Sequence, residues 1–119
     1  MPRKLSLYLQ DILNASDSIL RFTDGMDKTA YENNLQVRFA VERCFTIVGE
    51  ALAQMRQHYP EMMQQIEDSN KIVAFRNVLM HNYFSVDNDD VWSAVESKLP
   101  AFRDQVIVLI EDLGKTQAA

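Results

Sequence analysis

Arg76, His81 and Tyr83 are the side chains of this sequence best suited to chemistry. They stand together in Arg76-Asn77-Val78-Leu79-Met80-His81-Asn82-Tyr83. Histidine exchanges a proton near neutral pH. Arginine stays charged and grips phosphate oxygens. Such a pair suits cleavage of RNA. The imidazole takes a proton from a ribose 2′-hydroxyl or gives one to the leaving oxygen. The guanidinium steadies the phosphate as charge builds on it. The surrounding residues read as a buried helix, and a cation in an apolar stripe is costly unless paired, solvated in a cleft or used.

Helical geometry sorts these residues. With Arg76 at zero and about 100° per residue, Ile72, Leu79, Met80 and Val73 all fall within about 60° of it. Arg76 is therefore in the middle of an apolar face. Tyr83 returns to that face two turns on, if the helix continues so far. Asn77 and His81 form a second, polar stripe. Arg76 and His81 thus diverge, and they reach one phosphate only through a bend, long side chains or a second copy of the helix. A symmetric dimer supplies that copy, because a two-fold interface repeats one patch. Structural readings stand beside the chemical one. Glu50 could pair with Arg76 as a buried salt bridge. His81 could favour the dipole at a helix C-terminus. Tyr83 could be a core ring.

The elements that position the motif all read as helices. Leu5, Leu9, Ile12, Leu13, Ile19 and Leu20 give a first helix over Lys4 to Phe22. Thr23-Asp24-Gly25 stops it, and Thr29 or Asn34 can cap the next helix. Val37, Val41, Cys44, Val48, Ala51 and Met55 form one seam of a long helix over Leu35 to His58. Gly49 inside it costs up to about 1 kcal/mol relative to alanine, so a close helix crossing is its expected reason. Pro60 ends this helix or begins a short one through Ile66. The motif helix runs from Asn70 to Asn82, and Ser85 to Asn88 reads as a loop. Asp89 or Asp90 starts a short helix with Val91, Trp92 and Val95. Leu99-Pro100 opens the last helix, which Gly114 closes. Arg38 and Glu42 read as an ordinary surface pair one turn apart. The expected architecture is an all-α, up-and-down bundle of four to five helices. It forms one domain over residues 1–114, with a disordered tail over 115–119.

Composition narrows the function. The chain has 119 residues, 47% of them hydrophobic, enough for one core without staples. The 3 glycines and 3 prolines are too few for a turn-rich β fold. Cys44 is the one cysteine. It excludes an intrachain disulfide, suits a reducing cytoplasm and reads as a small core residue. The start of the chain does not read as a signal-peptide core. No apolar stretch reaches the roughly 18 residues of a membrane span. His58 and His81 are far apart in sequence, so no metal-ligand spacing shows, and no metal or cofactor is expected. Asp and Glu outnumber Lys and Arg by 17 to 12, a net charge of −5. That balance does not favour general nucleic-acid binding, so any RNA contact needs a local concentration of positive charge, and no long basic run supplies one.

The motif and its flanks resemble the HEPN superfamily, specifically its HepT-like branch. The mark of that branch is Arg, four residues, His, any residue, Tyr, here Arg76, His81 and Tyr83. Ala40-Val41-Glu42-Arg43 followed by Ile47-Val48-Gly49-Glu50-Ala51 is similar to its second helix. Val91-Trp92 and Leu99-Pro100 are similar to its closing segment. The resemblance covers nearly the whole chain. It implies a small helical ribonuclease toxin, a homodimer through the motif face, cutting RNA without metal. Arg76 would hold the phosphate and His81 would be the general acid or base, with Asn77, Asn82 and Glu50 as accessory polar positions. It also implies a partner, a minimal nucleotidyltransferase antitoxin that silences the toxin by transferring AMP to Tyr83. The alternative is a non-catalytic module that presents substrate to such a nucleotidyltransferase. A plain helical dimer, with the motif stabilising its interface, is a third reading.

Overall fold

The computed structural model describes residues 3–81 and 86–118, and every regular element among them is helical. Helix α1 spans Leu5–Phe22 and buries Leu9, Ile12 and Ile19, as their spacing predicts. The Thr23 hydroxyl donates to the Ile19 carbonyl at 2.8 Å as the helix ends. Gly25 then takes a φ of 76°, a left-handed turn position suited to glycine. A short helix, α2 (Lys28–Glu32), comes next, with Asp27 as its cap. Helix α3 spans Leu35–His58, the bounds read from sequence. Asn34 caps it, its side chain accepting from the Val37 N–H at 3.0 Å. Val41, Cys44, Val48, Ala51 and Met55 of the expected seam are buried.

Past α4 (Pro60–Met63) comes α5 (Ser69–His81), the motif helix. α3 is the central element, flanked by α1 and α5. Side-chain tethers show the directions. The Tyr59 hydroxyl, just past α3, donates to the Arg3 carbonyl at 2.8 Å, so α3 ends where α1 begins. Arg56 near the end of α3 donates to Asn70 at the start of α5 at 3.3 Å. Two further helices follow, α6 (Asn88–Ser93) and α7 (Leu99–Ala118). Arg103 pairs with Asp17, joining the start of α7 to the later part of α1. Neighbouring long helices therefore alternate in direction, and the fold is the expected up-and-down bundle.

Three details depart from the sequence reading. The first is α2 itself. Five residues are too few to show a helical period, yet Tyr31 from this turn is fully buried. Secondly, α4 stops short of Ile66. Thirdly, α7 begins at Leu99 as expected, but the chain arrives there already helical. Asp87 caps α6, so the expected loop ends one residue early. A π-helical segment, Ala94–Lys98, then carries α6 straight into α7. Here the Leu99 N–H reaches back five residues to the Ala94 carbonyl. Pro100 lacks an N–H, and its ring crowds the carbonyl four residues earlier. A widened turn accommodates both without breaking the helix. α7 also continues through Gly114 to Ala118, since no left-handed turn forms at that glycine.

Candidate functional site

Arg76 is set by the crossing of α3 and α5. An ideal Cβ built on Gly49 would lie 2.2 Å from the Arg76 Cβ and 2.7 Å from its Cγ. Only glycine lets the two backbones approach so closely, which is the expected reason for a glycine in mid-helix. Val73 and Leu79 are buried to either side of Arg76 on α5, and Phe75 meets Phe45 of α3 edge-on at 5.4 Å. The arginine stem is thereby part of the helix seam, while its charged end has no acidic partner among the described residues. Among them its Nε is buried with no hydrogen-bond partner. One Nη donates toward the Met80 sulfur at 3.3 Å, a weak acceptor.

The expected salt bridge to Glu50 is absent among the described residues. Glu50 follows Gly49 by one residue and so points about 100° away from α5. It lines a separate groove with Arg3, Tyr8 and Asp11. Asn77 and His81 are both exposed, on the polar stripe the wheel predicts, and His81 stands in the last turn of α5. Asn82 and Tyr83 lie outside the described residues. Arg76 and His81 leave the helix on different sides.

A groove of about 320 Å³ lies on the opposite flank of α5 from His81. Phe45, Ile72, Phe75, Leu99 and Phe102 line it, and neither Arg76 nor His81 does. Cys44 is buried as expected, and burial pushes its thiol above the ordinary range. No cluster of three or more His, Cys, Asp or Glu side chains is placed to hold a metal ion among the described residues. Nor is any described helix long and apolar enough to cross a membrane.

Sequence reasoning missed Arg38. It is not half of an ordinary surface pair with Glu42. No hydrogen bond or ion pair joins them, and the Arg38 Nε is buried without a partner among the described residues. Glu42 is partly buried, and its carboxyl is pushed upward by burial against the opposing pull of Arg38.

A family model described as ribonuclease HepT-like matches residues 12–109, which takes in the Gly49 crossing, Arg76 and His81. The chain belongs to the ribonuclease HepT-like family. Two Methanocaldococcus jannaschii proteins are similar along their whole length. "Putative RNase MJ0125" is 31% identical over 95% of this chain and 97% of its own. "Putative RNase MJ1216" is 30% identical over 98% of each. "Probable ribonuclease HepT" of Thermococcus cleftensis is 28% identical over 87% of this chain and 93% of its own. No solved structure gave a significant match. In this HepT-like chain the motif arginine is held at a glycine crossing, and the motif histidine faces solvent at the end of the same helix.

Proposed function

We propose that this HepT-like chain is a metal-independent endoribonuclease toxin acting as a homodimer. The observation that carries the reading is Arg76, whose stem is packed against Gly49 and whose buried Nε has no partner among the described residues. A guanidinium held in place without an acidic partner is preorganised for an anion, and the transition state of phosphodiester cleavage is one. His81 is exposed and free to work on a bound strand. It takes the proton of the 2′-hydroxyl as that oxygen attacks phosphorus, or protonates the departing 5′-oxygen. Because Arg76 and His81 diverge on α5, the cleft takes them from two copies of the helix. Exposed Leu35 and Phe39 on α3, and Val78 and Met80 on α5, supply apolar surface for that contact.

A nucleotidyltransferase partner silences the toxin through Tyr83. The phenolic oxygen attacks the α-phosphorus of ATP and pyrophosphate leaves. The added nucleotide brings bulk and negative charge to the motif.

The test is pure protein with total RNA, with and without EDTA. The wild type should cleave in both, and Arg76→Ala or His81→Ala should lower the rate at least about 100-fold while the helical content is kept. Cleavage by both variants at the parental rate would refute the assignment. Sedimentation should give a dimer. After co-expression with the partner, mass spectrometry should place AMP on Tyr83. Mass on another residue would refute that site.

A further inference from the structure

Arg38 resembles Arg76 in a way that the other arginines do not. Arg3, Arg21, Arg56 and Arg103 each have a side-chain partner, in Asp11, Ser18, Asn70 and Asp17. Arg43 is exposed to solvent. Arg38 and Arg76 have a buried Nε with no acceptor among the described residues. Burying part of a guanidinium without an acceptor is unfavourable, and such a group wants an anion.

Its place in the fold says which anion. Gly49 marks the direction in which α3 faces α5. At about 100° per residue, Glu42 and Arg38 each lie within about 20° of that direction, and Phe45 within about 40°. Phe45 does meet Phe75 of α5. Arg43 lies about 120° away. The two helices run antiparallel, so the beginning of α3 lies toward the end of α5. Measured along the axes from the Gly49–Arg76 contact, His81 is about 7 Å on, Glu42 about 10 Å and Arg38 about 16 Å. Arg38 therefore lies on the face of α3 turned toward α5, about 9 Å beyond the level of His81. The two arginines are too far apart for one phosphate, and the spacing suits a strand that runs along the seam.

We propose that Arg38 is a second phosphate-holding residue of the motif cleft, binding the RNA backbone further along the strand than Arg76. This rests on the ribonuclease reading above. It also supplies the local positive charge that a chain of net charge −5 needs for RNA. Glu42, one turn away and unbonded to Arg38, opposes the strand at that point, so the contact depends on the guanidinium reaching past it.

The experiment is fluorescence anisotropy with a labelled single-stranded RNA fully 2′-O-methylated to prevent cleavage. Binding is measured from about 50 to 200 mM KCl, the range over which phosphate contacts are lost. Wild type, Arg38→Ala, Arg38→Gln, Arg43→Ala and Arg76→Ala are compared, with thermal melts to check folding. Arg38→Ala and Arg38→Gln should each weaken binding about ten-fold or more. They should also make the log–log salt slope shallower by about 0.7, as expected for one phosphate lost on a single strand. Arg43→Ala removes the same charge from the same helix and should stay within about two-fold of wild type. If Arg38→Gln folds and binds like Arg43→Ala, Arg38 holds no phosphate. When Arg76→Ala still loses affinity in that case, the ribonuclease reading survives and this inference alone falls. If the wild type does not bind the strand at any salt, both fall.

Discussion

Arg76 owes its position to the residue that has no side chain. Gly49 lets α5 approach until the Arg76 Cβ occupies the space a Gly49 Cβ would need, at 2.2 Å. Neither Cβ can rotate away, so relief requires the helices to separate. Gly49→Ala should therefore destabilise the fold by about 1–2 kcal/mol, an overpacking cost partly offset by the better helix propensity of alanine. Urea unfolding measures it. The same change made in an Arg76→Gly background should reverse sign and stabilise, because the conflicting Cβ is gone and only propensity remains. Equal destabilisation in both backgrounds would show that another contact governs the crossing. Much of this site was legible in the sequence, because a cation among Ile72, Val73 and Leu79 stands out at helical spacing. The partner of that cation was not. Glu50 lay at a plausible separation in sequence, but it follows the contact residue by one position, and one residue turns a side chain well away from the neighbouring helix. Arg38 was missed for a related reason. An Arg and a Glu one turn apart look like a solvated pair, and only the structure shows that the Arg38 Nε is buried with no partner among the described residues.

The long helices were legible almost to the residue, because α1 and α3 repeat their apolar positions over many turns and Asn34 caps the second. The short ones were not. α2 has a single buried side chain, Tyr31, so no pattern exists to read. The closing segment shows the opposite failure, with a local signal that tertiary structure overrode. Leu99-Pro100 looks like a helix start, yet the chain arrives already helical and widens into a π turn over Ala94–Lys98. Packing holds this arrangement, since Val91, Trp92, Val95, Leu99 and Phe102 are all buried. Trp92 also donates its indole N–H to Glu96 at 3.2 Å across the junction. If Pro100 is the cause of the wide turn, Pro100→Ala restores the missing donor. The variant should then gain stability, by up to about 3 kcal/mol, and the new amide at position 100 should be protected from hydrogen exchange. An unprotected amide with unchanged stability would assign the π turn to the packing of Trp92 and Val95 instead.

For the whole molecule, the small helices decide how the ends of the bundle respond to pH. Tyr31 sits where α2, α3 and α6 meet, fully buried, with its ring 5.5 Å from that of Trp92 and its hydroxyl unpartnered among the described residues. Burial raises its pKa far above the ordinary tyrosine value, Glu42 adds to the rise and Arg38 opposes it. The folded state thus keeps the phenolic proton at pH values where the unfolded chain has lost it. The stability linked to Tyr31 is fully present below about pH 10, the unfolded value, and is lost as pH rises toward the higher folded value. Its contribution to the loss should approach about 1.4 kcal/mol per pH unit. Lys28, raised by its 2.7 Å bond to Asp89 across α2 and α6, weakens in the same alkaline direction, but it is exposed and screened. Tyr31→Phe separates the two. At neutral pH it should change stability by less than about 1 kcal/mol, because the hydroxyl it removes has no partner to lose. Above about pH 10 it should flatten the decline, leaving the part that Lys28 supplies. Urea unfolding across the alkaline range, parent beside variant, measures the difference. Parallel curves would mean that the buried phenol does not set the alkaline limit of the fold.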